Sequence, residues 1–462
     1  MTTSRPIVRL AACAATALLA SFQFRPPAVK VADSWQNLFD GKTLTGWKRL
    51  AGTAEYTVEN GAIVGKAVLN SGNTFLVTEK EYGDFVLELD VKVDSPLSNS
   101  GVQTRSHFDS PAQPGKVYGR QVEIDPSARS WSGGIYDEAR REWLYPLDLH
   151  PQAKTAFKVG AYNHVKVECL GNETKTWINN VPVAYVADPV DPTGFIGLQV
   201  HGITSAAQAG QKVYFKNIRL KPAVQPSAFP ADVYVANFVP NYLTAYEQQH
   251  GWQLLFDGKT SQGWRSAKGL VFPAQGWQVA DGTMTVLPSE GKEAANGGDI
   301  VTNAEYQAFD LSFEFKLTPG ANSGVKYFVT LAEQTDGSAI GLEYQVLDDA
   351  LHPDAKLGRD GDRTLASLYD LKTAAKPARF VHPIGEWNVG RVVVYPNNHV
   401  EHYLNGVKVL EYKRGSAEFR SLVAQSKYHV WPHFGEAPAG HLLLQDHGNR
   451  VSFRSIKLKK LK

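Results

Sequence analysis

The sequence predicts an all-β protein made of two tandem jelly-roll β-sandwich domains, and three observations carry that prediction. Asn37-Leu-Phe-Asp-Gly-Lys-Thr-Leu-Thr-Gly-Trp47 returns as Leu254-Leu-Phe-Asp-Gly-Lys-Thr-Ser-Gln-Gly-Trp264. Further pairs follow in the same order: Asn99-Ser-Gly-Val102 with Asn322-Ser-Gly-Val325, Gly133-Gly-Ile-Tyr-Asp137 with Leu365-Ala-Ser-Leu-Tyr-Asp370, and Gly197-Leu-Gln-Val-His-Gly202 with Leu443-Leu-Gln-Asp-His-Gly448. Apolar residues alternate with polar ones in both copies, and no long helical period occurs anywhere.

The 462 residues exceed one ordinary core and suggest two or three domains. At 43% hydrophobic and 20% charged, the chain is neither disordered nor fibrous. Its formal charge of +2 is too small for a phosphate-backbone footprint, so nucleic acid is not an expected partner. The 10 Trp, 19 Tyr and 21 Phe supply strand residues and flat surfaces suited to sugars.

Arg5 and Arg9 precede an apolar run from Leu10 to Ala20, the order of a secretory signal peptide, and that run is too short to span a bilayer. Residues 1–32 are thus expected to be leader, and the location periplasmic or secreted. Leu10-Ala-Ala-Cys13 resembles a lipoprotein box, but most of the apolar run follows Cys13. Cys169 is then the single mature cysteine, and its alternating surroundings suit a buried strand residue better than a catalytic thiol.

The two sandwiches are expected at 33–221 and 243–462, joined by a linker at 222–242 whose Lys221–Pro230 stretch is rich in turn formers. Phe85–Val93 and Phe309–Leu317 each place five apolar residues on one face, predicting matching half-buried antiparallel strands. Trp177–Val183 and Tyr403–Val409 predict hairpins, because Asn-Asn and Asn-Gly tolerate the positive φ of a type I′ turn. The closing strands change apolar phase midway, predicting a β-bulge near Asn217 and Ser455. Leu243–His250 predicts one short helix.

Taken together, the Leu-Phe-Asp-Gly-Lys-Thr openings with Trp47 and Trp264, the Asn-Ser-Gly steps, Gly341–Asp349, Tyr369-Asp370, Asn405-Gly406 and Leu444–Gly448 resemble the 3-keto-disaccharide hydrolase domain family, over nearly all of the mature chain. The resemblance implies a concanavalin A-like fold and secreted proteins that cleave glycosides whose sugar is oxidised at carbon 3. The second copy keeps the family pattern more closely; the first carries Val122–Pro126 and Trp131–Tyr136 instead.

A 3-keto group acidifies the proton on carbon 2. Its removal, expulsion of the aglycone from carbon 1 and addition of water would complete the cleavage. Such chemistry needs a base, donors or a metal at the enolate oxygen, and an acid for the leaving oxygen. Glu123 and Asp125 share a strand face, as do Glu343 and Gln345; aligning Gly119 with Gly341 exchanges acid for amide between the copies. These four are the catalytic candidates, with Tyr136 and Tyr369 as possible donors to the leaving oxygen; solvated strand carboxylates and aromatic plugs are the plain alternatives. Arg105, His107 and Lys326 are candidate sugar or enolate contacts, with His107 also a possible base, Trp131 and Trp143 candidate stacking faces, and Gln199, His201, Asp370, Gln445 and His447 further candidate sugar contacts. Buried polar ties from strand to loop would explain the last group equally well. Asp348 and Asp349, in a glycine-containing acidic stretch, could ligate Ca²⁺ or another divalent metal, although the spacing is not that of an EF-hand.

The expected partner is an oligosaccharide or glycoside. Two other functions compete. Glu123-Ile-Asp125 resembles the Glu-x-Asp core of endoglucanases, but Pro126–Arg129 fill the place of the further Glu that mechanism needs. A sandwich groove with aromatic walls also binds sugar without catalysis.

Overall fold

The computed structural model describes Met1 and residues 34–223, 225–332 and 339–462, so residues 2–32 of the expected leader, Cys13 included, lie outside the described residues. Two sandwiches stand in tandem. In the first, a nine-stranded sheet centred on Phe85–Val93 packs on a seven-stranded sheet centred on Ser100–Ser110. In the second, an eight-stranded sheet around Phe309–Leu317 packs on a five-stranded sheet around Asn322–Val329. No described helix is long and apolar enough to cross a membrane.

Alternation decides which residues fill each core. Leu87, Leu89 and Val91 meet Val102, Val122, Ile124 and Leu198 in the first sandwich; Phe309, Leu311, Phe313 and Phe315 meet Val325, Tyr327, Tyr344 and Leu442 in the second. Burying each of these side chains contributes roughly 1.5–3 kcal/mol. Cys169 is wholly buried in the first core and has no disulfide partner among the described residues; burial pushes its thiol pKa up, as suits an inert core residue.

The repeated opening motif has a structural reason. Asp40 accepts the amides of Lys42 and Thr43 at 2.7 Å, and Asp257 accepts those of Lys259 and Thr260 at 2.8 and 2.7 Å. The turn so formed returns Trp47 and Trp264, whose indole N–H groups donate to Leu38 O and Leu255 O at 2.7 Å. Both hairpins and both bulges occur where expected. Asn179-Asn180 and Asn405-Gly406 have positive φ at both turn positions, while Asn217 and Ser455 have φ of 53° and 51° at register shifts in the closing strands.

The second copy departs from the half-buried expectation. The polar face of Phe309–Leu317 is covered too, with Asp310, Ser312 and Glu314 all buried. Residues 225–242 form the cover: Val233–Ala236 are buried, Ala236–Asn237 adds a parallel edge to Val181–Ala187, and the Tyr234 hydroxyl meets Ser312 Oγ at 3.1 Å. Arg391 then reaches Asp310 through two 2.7 Å bonds while stacking on Tyr234. Ala245–Gln249 is the expected short helix, closed by a Thr244/Glu247 capping box.

Candidate functional site

On the outer face of each smaller sheet lies a row of mostly buried polar side chains, the groove of that sandwich, and the strand register shows which residues correspond. Gly101 pairs with Glu123 and Gln103 with Gln121; Gly324 pairs with Gln345 and Lys326 with Glu343. Hence Gln121 answers Glu343, Glu123 answers Gln345, and Gln103 answers Lys326. The glycines are required here, because a Cβ on Gly324 would lie 1.9 Å from Glu343 Oε1 and one on Gly101 2.2 Å from Gln121 Cδ. Tyr136 is the cross-strand partner of Gln121, and the Tyr369 amide donates to Glu343 O at 3.1 Å, so the two tyrosines also correspond.

In the second groove Glu343, Lys326, Gln345, Asn322, Tyr369, Gln445 and His447 line a cavity of about 140 Å³. Burial pushes the Glu343 carboxyl up to about 7, against the opposing pull of Lys326 and Lys427. Tyr369 donates to Asp354 at 2.9 Å, and burial raises its pKa so that it stays a neutral hydroxyl. Gln345 Oε1, Gln445 Oε1 and His447 Nδ1 are buried without a hydrogen-bond partner. Each such group costs about 1–3 kcal/mol of desolvation unless something arrives to meet it.

In the first groove Glu123 accepts Asn99 Nδ2 at 2.8 Å and Gln121 Nε2 at 3.0 Å, and Gln103 donates to Gln121 at 2.8 Å. Burial lifts this carboxyl too, to about 7. Asp125 is paired with Arg129 at 2.7 Å, and that guanidinium lies over Trp131 and Trp143. Both side-chain polar atoms of Gln199, and His201 Nδ1, lack partners.

Several expected residues do not join either groove. Arg105 spends its donors on Gly83 O, Gly171 O and Asp84, a tie between loops behind the sheet. It sits at the bulge position answered by Phe328, both with positive φ, which turns it away from the row of Gln103. His107 lies beyond that bulge, against Asp191 and the Tyr118 ring. Asp370 is held by Arg363 and by the Lys427 amide, both at 2.7 Å. Trp131 is 4% exposed and packs against Phe380 of the second sandwich, so it is a core plug and no platform for a sugar.

The suggested metal pair also falls apart. Asp348 caps a turn through the amides of Gly320, Ala350 and Leu351, while Asp349 accepts Leu365 N and pairs with Lys376. Among the described residues one group, His399, Glu401 and Glu411, brings three potential metal ligands together, and Lys408 already neutralises both of its carboxylates.

Lys427, Glu293 and Trp431 line the second cavity without having been foreseen. Lys427 and Trp431 come from a segment that the first copy lacks: Lys413 is joined to Gly440 through a helix at Ala417–Ala424, whereas Ala187 runs almost directly to Phe195; Glu293 comes from loop 287–299, whose counterpart at 67–73 is shorter. An insertion confined to one copy of a duplication was the available signal.

The two stacked-sheet units are β-sandwiches, and the family and relative they match make this a carbohydrate-active protein. The chain belongs to the 3-keto-alpha-glucoside-1,2-lyase-like domain family, whose model matches residues 34–221 and again 251–459. It is 36% identical over 232 residues to a 3-keto-disaccharide hydrolase of Bacteroides thetaiotaomicron, covering 46% of this chain and 79% of that protein. Among solved structures it resembles "a putative glycosyl hydrolase from Parabacteroides distasonis" at 31% identity, TM-score 0.42, over 48% of this chain and all of that one. A second Parabacteroides distasonis structure, named in the same words, gives 26% identity and TM-score 0.35, over 46% of this chain and 99% of that one.

Proposed function

We propose that this protein is a periplasmic or secreted hydrolase that cleaves glycosides whose sugar carries a ketone at carbon 3, and that Glu343 is its base. The named relative and the family match support a glycoside-acting hydrolase. The observation that carries the finer reading is the carboxyl of Glu343, held near 7 in a small cavity with two lysines beside it. A base works best when its pKa lies near the working pH, and a neighbouring cation stabilises an enolate more than it stabilises the ketone it came from.

Glu343 takes the proton from carbon 2, and the C–H electron pair becomes the carbon 2–carbon 3 double bond of an enolate. Lys326 and Lys427 hold the oxygen charge. Collapse of the enolate regenerates the ketone, forms the carbon 1–carbon 2 double bond and breaks the bond from carbon 1 to the aglycone oxygen, which receives a proton from Tyr369 or from protonated Glu343. Water then adds across the new double bond, its proton to carbon 2 and its hydroxyl to carbon 1. The sum is hydrolysis. No oxidant is consumed.

The test compares 3-keto disaccharides with their unoxidised parents. Release of free aglycone from the keto form alone is the expected result, with exchange of the carbon-2 hydrogen for solvent deuterium. Cleavage of the parent sugar at an equal rate would overturn the reading.

A further inference from the structure

We infer that the groove of the first sandwich is a carbohydrate-binding site without catalysis, which holds an uncharged sugar while the second groove does the chemistry. The inference rests on the proposed role of Glu343, and the strand register carries it.

Where the second groove has Glu343 and Lys326, the first has Gln121 and Gln103, two amides bonded to each other. Its carboxylate has moved two residues along, to Glu123, where Asn99 and Gln121 each donate to a different oxygen. A carboxylate engaged on both oxygens is poorly placed to take a proton from carbon. The segment that delivers Lys427 is missing as well. Arg129, the guanidinium beside Asp125 in the first groove, is already bound to that carboxylate.

What remains is a site built for hydrogen bonding. Gln199 is fully buried, and neither its amide nitrogen nor its oxygen has a partner. In the second copy the same glutamine is met by Glu293, from a loop at 287–299 that is longer than its counterpart at 67–73. Asn99 Oδ1 and His201 Nδ1 are likewise unmet. Such a mixture of donors and acceptors suits the hydroxyls of a sugar.

Tyr136 and Trp143 continue the row of Gln103 and Gln121 to the sheet edge, with ring centroids 5.3 Å apart. Trp143 also borders a cavity of about 920 Å³ between the sandwiches.

The test has two arms. In the first, Glu343→Gln is assayed on a 3-keto disaccharide. Residual turnover below 1% of wild type is expected; retention of about half would show that both grooves turn over and would overturn the inference. If the wild-type protein cleaves no keto substrate, the catalytic reading of the second groove fails, and the binding arm still decides the first.

In that arm, maltose, cellobiose, trehalose, sucrose and maltotriose are titrated into Glu343→Gln, with binding followed by tryptophan fluorescence and NMR. Gln199→Ala in that background is expected to weaken one binding event at least tenfold, and Trp143→Ala to weaken maltotriose more than maltose. No binding of any sugar at 10-millimolar order, or binding lost with Gln445→Ala and indifferent to Gln199→Ala, would overturn it.

Discussion

Tyr369 and Glu343 stand on one rung of the second groove, the Tyr369 amide donating to the Glu343 carbonyl at 3.1 Å while both side chains line the same cavity. This ladder step fixes the tyrosine beside the base whatever its side chain does. Tyr369→Phe should therefore keep the fold and lower kcat by roughly 10- to 100-fold, somewhat less than a full acid–base deletion, which typically costs about 10²–10⁴. Steady-state kinetics on a 3-keto disaccharide, with near-ultraviolet circular dichroism as the folding control, checks it.

Gly324 gives Glu343 its resting place. Gly324→Ala puts a methyl group where Glu343 Oε1 now lies, so the carboxylate must swing away. The expected outcome is a fall in kcat of at least tenfold with KM little changed. An unaltered kcat would show that the carboxylate position seen here is not the working one.

The acid limb of the pH–rate profile should report Glu343. Its carboxyl sits at about 7 because burial disfavours the charged form. Since the base must be ionised, kcat/KM is expected to rise with pH and level off above about 7. Lys427 pulls that pKa down, so Lys427→Met should move the limb to higher pH as well as slow the reaction. A limb near 4.5 in both proteins would remove Glu343 from the proton transfer.

Glu123 gives a stability prediction independent of turnover. Its folded-state pKa of about 7 lies above the ordinary 4.5, so folding favours the protonated form. That contribution is fully present below the unfolded pKa and is lost as pH rises from about 4.5 through about 7. Glu123→Gln, which cannot ionise, should gain on wild type over this window by up to about 3 kcal/mol. Urea unfolding at pH 5 and pH 8 measures the difference, and a difference of opposite sign would refute it.

Lys457 and Glu247 form a buried ion pair between the closing strand and the short helix, with Thr244 and Asn237 also donating to the carboxylate. Removing one partner leaves a buried charge, so Glu247→Ala should cost about 3–5 kcal/mol. Replacement of both by Met and Leu should cost much less. Denaturant midpoints of the single and double variants test this.

Much of the fold was legible because β-structure writes itself in short-range alternation. Phe85–Val93 and Phe309–Leu317 have the predicted bounds, and Asn217 and Ser455 bulge where the apolar phase slips. The groove was legible in part: Glu123, Glu343, Gln345, Gln199 and Gln445 lie on the expected face because period two places them there. Arg105 escaped since one residue at a bulge reverses every side chain after it, and alternation counted straight through. Lys427 escaped because an inserted segment returns to the groove from a distance that no local pattern encodes. The buried outer face of Phe309–Leu317 was invisible for the same reason, its cover being supplied by the segment 225–242 between the sandwiches.

That cover has a consequence for how the molecule comes apart. Trp252, Phe380 and Val407 of the second half complete the first sandwich's apolar core, and Tyr234 joins Tyr145 on one side to Ser312 on the other. Neither half can melt without stripping the other, so calorimetry should record one cooperative transition, and either half expressed alone should aggregate through the surface its twin normally seals.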